Sequence, residues 1–592
     1  MEQHTGGDAV SDVLEQAGVT VVFGIPSVHN LPIYDSIRRR GRIRAITVRH
    51  EQAAAGAADG YARVTGRLGV FITSTGPGAA NAMGGLLEAF VSGSPVLHLT
   101  GQVETRYLDA GRGFIHEVPD QPAMLAALSK AVGRAESAED IAVVVATAIS
   151  QALSAPRGPV SVELPIDLQY AETQATSPEE IAQLLEPVVP AVPRPADVDA
   201  AVALVIASRK PLVWAGGGAV SSGAEREVAE LVHRLGAGLL TSPNGRGVLS
   251  EDDPLCIGNL SWDADVRELC RQSDLLIAVG TRYQGPNTEN WSMELPSRIL
   301  QIDVAPEGPR RNYEATVAVS GDAKTVLQAI LASLPAGPGS SGPGSSGPGS
   351  SGPGSSGPAA GAVTEWSDGV TKVAAAARSR LRHVIGPQAG LLDELAAAIG
   401  PDTVVVKDST IPAYTWGNRL LPVTGSRRAI MPNGFAIGLG LAHALGAAAA
   451  SARPRGAGPS GQVVLMVGDG GVMLAATELA TLAREGLNAI VLVFCDGGYG
   501  ILRNIQDKQF GEGDGRIGVE LGAPDFVALA GALGVEATRV TTTAAFGTAV
   551  RDGLAANKPY LVEVDLDAIG PMTRPYTGTS RPPTGTQPTD RG

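Results

Sequence analysis

The sequence predicts an α/β protein built from three doubly wound parallel-sheet domains. Short β-branched runs alternate with Ala- and Leu-rich helical stretches along most of the 592 residues. The strand runs, such as Leu275–Val279 and Ala489–Phe494, are continuously apolar, which indicates parallel sheets covered by helices on both faces. Gly-rich turns follow several of these runs, and ligands of such sheets bind beyond the carboxyl ends of the strands.

The individual elements follow from these runs. In the first third of the chain the predicted strands are Val19–Phe23, Ile43–Val48, Gly69–Ile72 and Pro95–Leu99, and the predicted helices are Asp8–Ala17, Leu31–Arg39 and Glu51–Val64. In the middle third the strands are Pro211–Trp214, Leu275–Val279 and Arg298–Ile302. In the last third the strands are Thr403–Val406, Val463–Val467 and Ala489–Phe494, with a helix at Ala475–Glu485.

Composition marks the domain boundaries. Gly337–Ser356 repeats GPGSS four times, and because such a segment cannot bury a core we expect a solvated linker over residues 335–361. The proline-rich stretch Pro187–Pro195 is a weaker break. We therefore predict domains at residues 1–186, 196–334 and 362–570, followed by a flexible tail at residues 571–592.

Charge and cysteine content narrow the function. The chain has 46 Lys and Arg against 60 Asp and Glu, a net charge of −14, and no long basic run, so nucleic acid and anionic membranes are not expected partners. Its 3 cysteines fit neither a zinc site nor a disulfide framework. With a polar N-terminus and no apolar run long enough to span a bilayer, we expect a cytoplasmic protein.

The strongest chemical signal is a pair of acids in the last third. Val463–Val467 runs into Gly468-Asp469-Gly470-Gly471, and the next strand ends at Cys495-Asp496-Gly497-Gly498-Tyr499. Asp469 and Asp496 are 27 residues apart, the length of one strand–helix–strand crossover, which predicts that both lie at the same edge of a sheet. Two such oxygen ligands suit Mg²⁺ that also takes phosphate oxygens. The alternative is that Gly-Asp-Gly is simply a tight turn.

A second signal lies in the first third. Strand Ile43–Val48 delivers Glu51 to the first turn of an Ala-rich helix, and Thr73–Asn81 forms a loop of small residues that opens another helix. The alternative is that Glu51 only complements the helix dipole.

Taken in order, Val22–Pro26, His50–Gly66, Thr75–Gly78 and Gly468–Gly470 resemble the thiamine diphosphate-dependent enzymes of the acetolactate synthase, pyruvate decarboxylase and benzoylformate decarboxylase type. The resemblance covers nearly the whole chain outside the linker and tail, is acetolactate-synthase-like in general pattern, and implies pyrimidine-binding, central and diphosphate-binding domains. One departure is that Cys495-Asp496 stands where the family usually has two asparagines.

The resemblance implies two cofactors, thiamine diphosphate and Mg²⁺, and a homodimer or homotetramer with the active site at the subunit interface. It makes Glu51 the catalytic partner of the pyrimidine N1′ atom and places Asp469, Asp496 and Gly498 around the metal ion. It assigns the remaining cofactor contacts to Gly76, Pro77, Asn81, Ile437, Gly468, Gly470, Gly471 and Tyr499.

Differences from the acetolactate synthase pattern limit which reactions are expected. Ile505 replaces its acceptor-site tryptophan, Pro286 lies where its arginine is expected, and Gly258–Trp262 lacks its flavin-loop motif, so we expect no bound FAD. The loop Gly111–Gln121 resembles amino-acid-derived 2-oxo acid decarboxylases and offers His116 as a proton donor. His116 could equally be a structural loop histidine, and His29 is a weaker candidate.

The leading hypothesis is decarboxylation of a small-molecule 2-oxo acid to an aldehyde, for which the resemblance implies an enamine intermediate. One alternative is an acetolactate-synthase-like carboligase that joins the same intermediate to a second carbonyl. The other is a catalytically inactive regulatory homologue, against which the presence of Glu51, Asp469 and Asp496 argues.

Overall fold

The computed structural model of the chain describes residues 3–305, 308, 311–335, 360–451, 461–513 and 515–578. Nearly all of the predicted linker at 335–361, and the predicted tail beyond residue 578, lie outside the described residues. The domain boundaries inferred from composition stay predictions.

The first domain alternates strands and helices from its start. Its strands are β1 (Val21–Gly24), β2 (Arg44–Thr47), β3 (Gly69–Thr73), β4 (Val96–Gln102), β5 (Ala131–Arg134) and β6 (Val160–Pro165). Its helices are α1 (Gly6–Gln16), α2 (Leu31–Arg40), α3 (Glu51–Thr65), α4 (Pro77–Asn81), α5 (Met83–Ser92), α6 (Gln121–Ala126), α7 (Ile141–Leu153), α8 (Ile166–Tyr170) and α9 (Pro178–Leu185).

The middle domain has the same alternation. Its strands are β7 (Pro211–Ala215), β8 (Gly238–Thr241), β9 (Cys256–Gly258), β10 (Leu275–Val279), β11 (Ile299–Asp303) and β12 (Val317–Ser320). Its helices are α10 (Pro195–Ile206), α11 (Gly217–Ser221), α12 (Glu225–Leu235), α13 (Ala264–Gln272) and α14 (Ala323–Ser333), and α15 (Ala360–Ile385) follows.

The third domain completes the chain. Its strands are β13 (Val404–Lys407), β14 (Ala429–Ile430), β15 (Val463–Gly468), β16 (Ala489–Cys495), β17 (Glu536–Val540) and β18 (Tyr560–Asp565). Its helices are α16 (Gln388–Ala398), α17 (Gly440–Ser451), α18 (Asp469–Met473), α19 (Glu478–Glu485), α20 (Gly500–Phe510), α21 (Phe526–Ala532), α22 (Thr543–Ala556) and α23 (Leu566–Ile569).

The strands form three six-stranded sheets in which each described pair is parallel. The strand orders are β2-β1-β3-β4-β6-β5, β12-β11-β10-β7-β8-β9 and β14-β13-β15-β16-β18-β17. Strands β4, β15 and β16 are buried along their whole length, because helices cover both faces of each sheet. The prediction of three doubly wound parallel-sheet domains is confirmed.

Small residues join the first and third domains. Helix α3 packs on helix α17, and a Cβ atom at Gly56 would lie 2.8 Å from the Cβ atom of Ala442. A Cβ atom at Gly60 would lie 2.5 Å from the carbonyl oxygen of His443. The Ala- and Gly-rich face seen in the sequence is therefore a helix–helix contact that brings the domain carrying Glu51 against the domain carrying Asp469.

One predicted helix is wrong at its start. Instead of a single helix at Ala475–Glu485, helix α18 begins at Asp469 directly after β15, and α19 begins only at Glu478. The sequence misled because Gly470-Gly471 reads as a loop. In the structure Gly468 is the N-cap of this short helix, and the Asp469 carboxylate in its first turn accepts the Gly470 N–H (2.7 Å).

The described chain forms two compact units. One takes in residues of 1–191, 390–496 and 523–570, and so contains the first and third sheets. The other takes in residues of 192–389, 497–522 and 571–592, including the second sheet. Within the part of the chain that the structure describes, no helix has both the length and the apolar character needed to cross a membrane.

Candidate active site

Glu51 is the first residue of α3, at the carboxyl-end edge of the first sheet. His50 caps the helix, since its Nδ1 atom accepts the Gln52 N–H (3.2 Å). The Asn81 amide donates to Glu51 Oε2 (3.1 Å), which joins the predicted catalytic glutamate to a predicted cofactor-binding residue. One carboxylate oxygen of Glu51 is therefore held from α4.

The backbone just before Glu51 is fixed by the third domain. Glu478, buried in α19, accepts the Arg49 N–H through Oε1 (2.8 Å) and the Thr481 hydroxyl through Oε2 (2.7 Å). Burial raises the pKa of Glu478 despite these hydrogen bonds. The start of α3 is thus positioned by a side chain that is 429 residues away in sequence.

The loop before α4 needs glycine at one point. Gly76 has φ 58°, and a Cβ atom there would run into the backbone of His116. Its N–H donates to Gln121 Oε1 (2.7 Å), and the Thr75 hydroxyl lies 2.9 Å from the same oxygen and 3.0 Å from Gln102 Oε1. Pro77 follows as the exposed first residue of α4. Hydrogen bonds from the loop to these two glutamines thus fix its conformation.

A buried glutamate orients both glutamines. Glu163 Oε1 accepts from Gln102 Nε2 (2.9 Å) and Gln121 Nε2 (2.8 Å), while Arg134 Nε donates to its Oε2 (2.7 Å). Because both amides donate to Glu163, both amide carbonyls face Thr75. Sequence reasoning missed this network: Gln121 appeared only as the end of a loop, and no local motif links it to Glu163.

Two histidines meet beside this loop. Ser74 Oγ lies 3.1 Å from His116 Nδ1 and 3.4 Å from His29 Nδ1, and the two ring centroids are 5.2 Å apart. Burial, together with the nearby His116, lowers the pKa of His29. The structure therefore brings together the favoured and the weaker histidine candidates through Ser74.

The acids of the third domain lie where the crossover spacing placed them. Strands β15 and β16 pair in register from Val463 and Ala489 to Gly468 and Phe494. Asp469 and Asp496 follow the ends of these neighbouring strands, and Gly470 and Gly471 continue into α18. Asp469 is buried.

A metal site made only of protein side chains would need at least three His, Cys, Asp or Glu residues close together. Among the described residues no such group is found. Mg²⁺, however, is commonly held by one or two carboxylates with phosphate oxygens and waters completing the shell. A pair of aspartates is a suitable donor set for that arrangement.

Ile437 lies on an irregular segment between β14 and α17. The two ends of this segment, residues 431–433 and 438–440, are buried. Between them Gly434 and Phe435 are exposed and Ile437 is half-buried. Asp408, buried after β13, accepts the N–H groups of Gly438 (3.1 Å) and Gly440 (2.8 Å). Burial raises the pKa of Asp408. Ile437 thus lies on a segment that is fixed at its end.

Gly498 and Tyr499 belong to the second compact unit. Gly498 forms a bridge with Glu520, and the Tyr499 N–H donates to the Val519 carbonyl (2.9 Å) just before α20 begins. Their roles at the metal ion and cofactor stay predictions.

The structure is thus a multidomain α/β protein. A glutamate begins a helix at the sheet edge of the first domain, and two aspartates follow neighbouring strands of the third. Models of the thiamine pyrophosphate enzymes match the chain three times: the N-terminal TPP binding domain at residues 4–124, the central domain at 198–330 and the C-terminal TPP binding domain at 412–564. The chain belongs to this family.

Its relatives include a decarboxylase and acetolactate synthases. It is 32% identical over 539 residues to the "Probable 2-ketoarginine decarboxylase AruI" of Pseudomonas aeruginosa, covering 90% of this chain and 88% of the relative. It is 27% identical over 578 residues to the "Probable acetolactate synthase large subunit" of Methanococcus aeolicus, covering 95% and 92%.

A solved structure shares the fold. The thiamine diphosphate-dependent 4-hydroxybenzoylformate decarboxylase of Rhodococcus jostii RHA1 superposes with a TM-score of 0.76 over 95% of this chain and 99% of that chain, at 24% identity. The family resemblance stated from the motifs is confirmed.

Proposed function

We propose that the protein catalyses thiamine diphosphate- and Mg²⁺-dependent decarboxylation of a 2-oxo acid with release of an aldehyde. The observation that carries this proposal is the cluster of His29, Ser74 and His116 beside the Gly76 loop. Aldehyde release requires that a proton replace the lost CO₂, and imidazoles are suited to supply one near neutral pH.

The residues present fit the cofactor. A Cβ atom at Gly78 would lie 2.9 Å from the Ser74 Cβ atom and 3.4 Å from Glu51 Oε1, so glycine keeps space open beside the carboxylate. At the other end, Asp469 and Asp496 supply hard oxygen donors for Mg²⁺, and Gly468, Gly470 and Gly471 allow close approach of phosphate. When bound, thiamine diphosphate would supply the nucleophilic carbon and the electron sink for loss of CO₂.

Glu51 would share a proton with the pyrimidine N1′ atom through Oε1. Its other oxygen, Oε2, is held by Asn81, so the carboxylate is oriented before any ligand binds. Ile437, which is half-buried, would support the cofactor by apolar contact. Asp469 and Asp496 would hold the metal ion, with Gly498 as a third ligand.

His116 and His29 would have different tasks. With Nδ1 facing Ser74, His116 would deliver a proton from Nε2. Because burial lowers the pKa of His29 and so favours its neutral form, His29 would hold Ser74 rather than act as the proton donor.

The carboligase alternative is supported by the acetolactate synthases among the relatives. Against it, Ile505 in α20 offers no indole N–H, and Pro286, in the short helical turn Gly285–Asn287, offers no guanidinium for the carboxylate of a second oxo acid. Because Gly258–Trp262 lacks the flavin-loop motif of acetolactate synthase, we also propose that no FAD is bound. An inactive regulatory homologue would not need Glu51 and both aspartates.

We further propose a cytoplasmic homodimer or homotetramer with the active site between subunits. Exposed apolar side chains support assembly: Leu87 and Phe90 on α5 and Met473 at the end of α18 are each more than a third exposed.

A substrate panel tests these proposals. Purified protein with thiamine diphosphate and Mg²⁺ is given pyruvate, benzoylformate and 2-ketoarginine, each with and without an acceptor aldehyde, and CO₂ and organic products are measured. We expect CO₂ and an aldehyde in equal amounts from a 2-oxo acid larger than pyruvate. Rapid acetolactate formation with stoichiometric flavin would establish the carboligase instead, and absence of cofactor binding would indicate the regulatory homologue.

A further inference from the structure

We propose that Glu88 in α5 is a positioning residue that holds the segment carrying Ile437 in its cofactor-binding conformation. The inference rests on the proposed function, since it assumes that Ile437 supports thiamine diphosphate. Nothing in the sequence motifs points to Glu88, which lies 349 residues before Ile437.

The first step is the geometry of the carboxylate. Glu88 is fully buried, its Oε1 accepts the Asn433 N–H (2.5 Å), and its Oε2 accepts the Gly434 N–H (2.8 Å). Ser92, one turn later on α5, donates to Oε1 (3.0 Å) and accepts from the Asn433 amide (2.7 Å). Both oxygens of one side chain in the first domain therefore bind consecutive backbone groups of the third domain.

The second step is the charge around it. Arg63 of α3 lies 3.6 Å from both Glu88 and Asp59, and it donates to the carbonyl of Met431 (2.8 Å), just before the bound segment. His443 Nε2 lies 2.9 Å from Asp59. A buried carboxylate with a neighbouring guanidinium and several donors is strongly held, because moving it away from these donors would leave a buried charge unsatisfied.

The third step concerns the part of the segment that lies between its two anchored ends. Glu88 fixes Asn433 and Gly434 at one end, and Asp408 fixes Gly438 and Gly440 at the other. Between these anchors Phe435 adopts φ 57°, a conformation that costs free energy and persists only when the surroundings impose it. Ile437 lies in this span, so its position depends on both anchors.

The fourth step separates this role from simple stability. Glu88→Gln is isosteric, but its amide group can accept through only one atom, so the Asn433 or Gly434 N–H loses its partner. The α3–α17 contact with Gly56 and Gly60 is untouched, so the two domains should stay docked. The expected loss is in the placement of Ile437 rather than in the fold.

The test measures thiamine diphosphate affinity at saturating Mg²⁺ and the thermal midpoint of the full-length protein. We expect Glu88→Gln to raise the Kd for thiamine diphosphate by about tenfold, as loss of an outer partner of a ligand-binding group does. The matched control is Glu227→Gln in the middle domain, because Glu227 is also buried and accepts from Gln328 (2.8 Å). Glu227→Gln should leave cofactor affinity unchanged, whatever its effect on the thermal midpoint.

A double-mutant cycle with Ile437→Ala tests whether Glu88 acts through Ile437. We expect Glu88→Gln to change the cofactor Kd much less in the Ile437→Ala background than in the wild type. Additive effects, or an unchanged Kd in Glu88→Gln, would overturn the inference. Should Glu88→Gln not fold, Ser92→Ala removes the hydroxyl that binds both Glu88 and Asn433, and it should raise the Kd in the same direction. Wild-type protein that binds no thiamine diphosphate would overturn the proposed function itself.

Discussion

At the scale of single residues, Glu51 offers the most direct test of the chemistry. Glu51→Gln keeps the size of the side chain and an atom for Asn81, but it cannot take up and return a proton at N1′. We expect cofactor binding to be retained and kcat to fall by roughly 100-fold or more. Hydrogen–deuterium exchange at C2 of bound thiamine diphosphate is the readout, and unchanged exchange would remove Glu51 from the mechanism.

Asp469 and Asp496 should behave differently from each other. Asp469→Ala removes a buried anionic oxygen, so the charge of the diphosphate and metal ion is poorly matched. We expect the Kd for thiamine diphosphate with Mg²⁺ to rise at least about tenfold by calorimetry. Asp496→Asn should retain activity, because an amide oxygen still coordinates Mg²⁺. Wild-type affinity in Asp469→Ala would contradict the metal site.

His98 predicts a pH dependence of stability. It is fully buried, stacks on Phe71 with ring centroids 4.3 Å apart, and burial lowers its pKa from 6.5 to about 3. Between these values the unfolded chain binds a proton that the folded chain does not, so stability falls as pH falls through this window.

When the pH falls from about 7.5 to about 5, this single group should lower the free energy of unfolding by about 2 kcal/mol. His98 Nε2 lies 2.9 Å from the Thr73 hydroxyl and Nδ1 lies 3.1 Å from the Ser161 hydroxyl, so His98→Asn removes the titration and keeps a polar group between them. Urea unfolding at both pH values should therefore show a smaller acid loss in the variant. An equal loss in the two proteins would show that His98 does not titrate as its burial implies.

At the scale of elements, the network around Glu163 makes the Gly76 loop part of the site. Gln121→Glu places a carboxylate where an amide now donates to Glu163 at 2.8 Å, and two buried carboxylates at that distance cannot both ionise. We expect kcat to fall at least about tenfold and the pH dependence of kcat to shift.

The control for this change is Gln301→Glu in the middle domain. Gln301 is equally buried and donates to the Thr281 carbonyl (3.3 Å). Gln301→Glu should lower the free energy of unfolding without shifting the pH dependence of kcat. A Gln121→Glu enzyme with wild-type kcat and pH profile would mean that the loop does not depend on the network.

The elements also show what a sequence can predict. Asp469 and Asp496 could be placed because the crossover length and the parallel strands fix their common edge. The contacts of Gln121, Glu163 and Glu88 could not be predicted. Their hydrogen-bond partners are distant in sequence and are brought together only by the fold. The start of α18 was missed because Gly470-Gly471 has loop composition, although the chain is already helical from Asp469.

At the scale of the whole molecule, the proposed assembly predicts complementation between two inactive variants. If each active site takes Glu51 from one subunit and Asp469 from the other, a mixed dimer of Glu51→Gln and Asp469→Ala chains contains one site with both residues intact. Random reassortment makes about half of the dimers mixed, so the mixture should regain about a quarter of the wild-type activity.

Reassortment can be driven by mild denaturation and verified with chains of different tag length. Each variant put through the same treatment alone is the control and should stay inactive. Sites made within one chain would give a different result, since every site in the mixed dimer would then carry one of the two changes. A mixture with confirmed mixed dimers and no regained activity would therefore place Glu51 and Asp469 of each active site in the same chain.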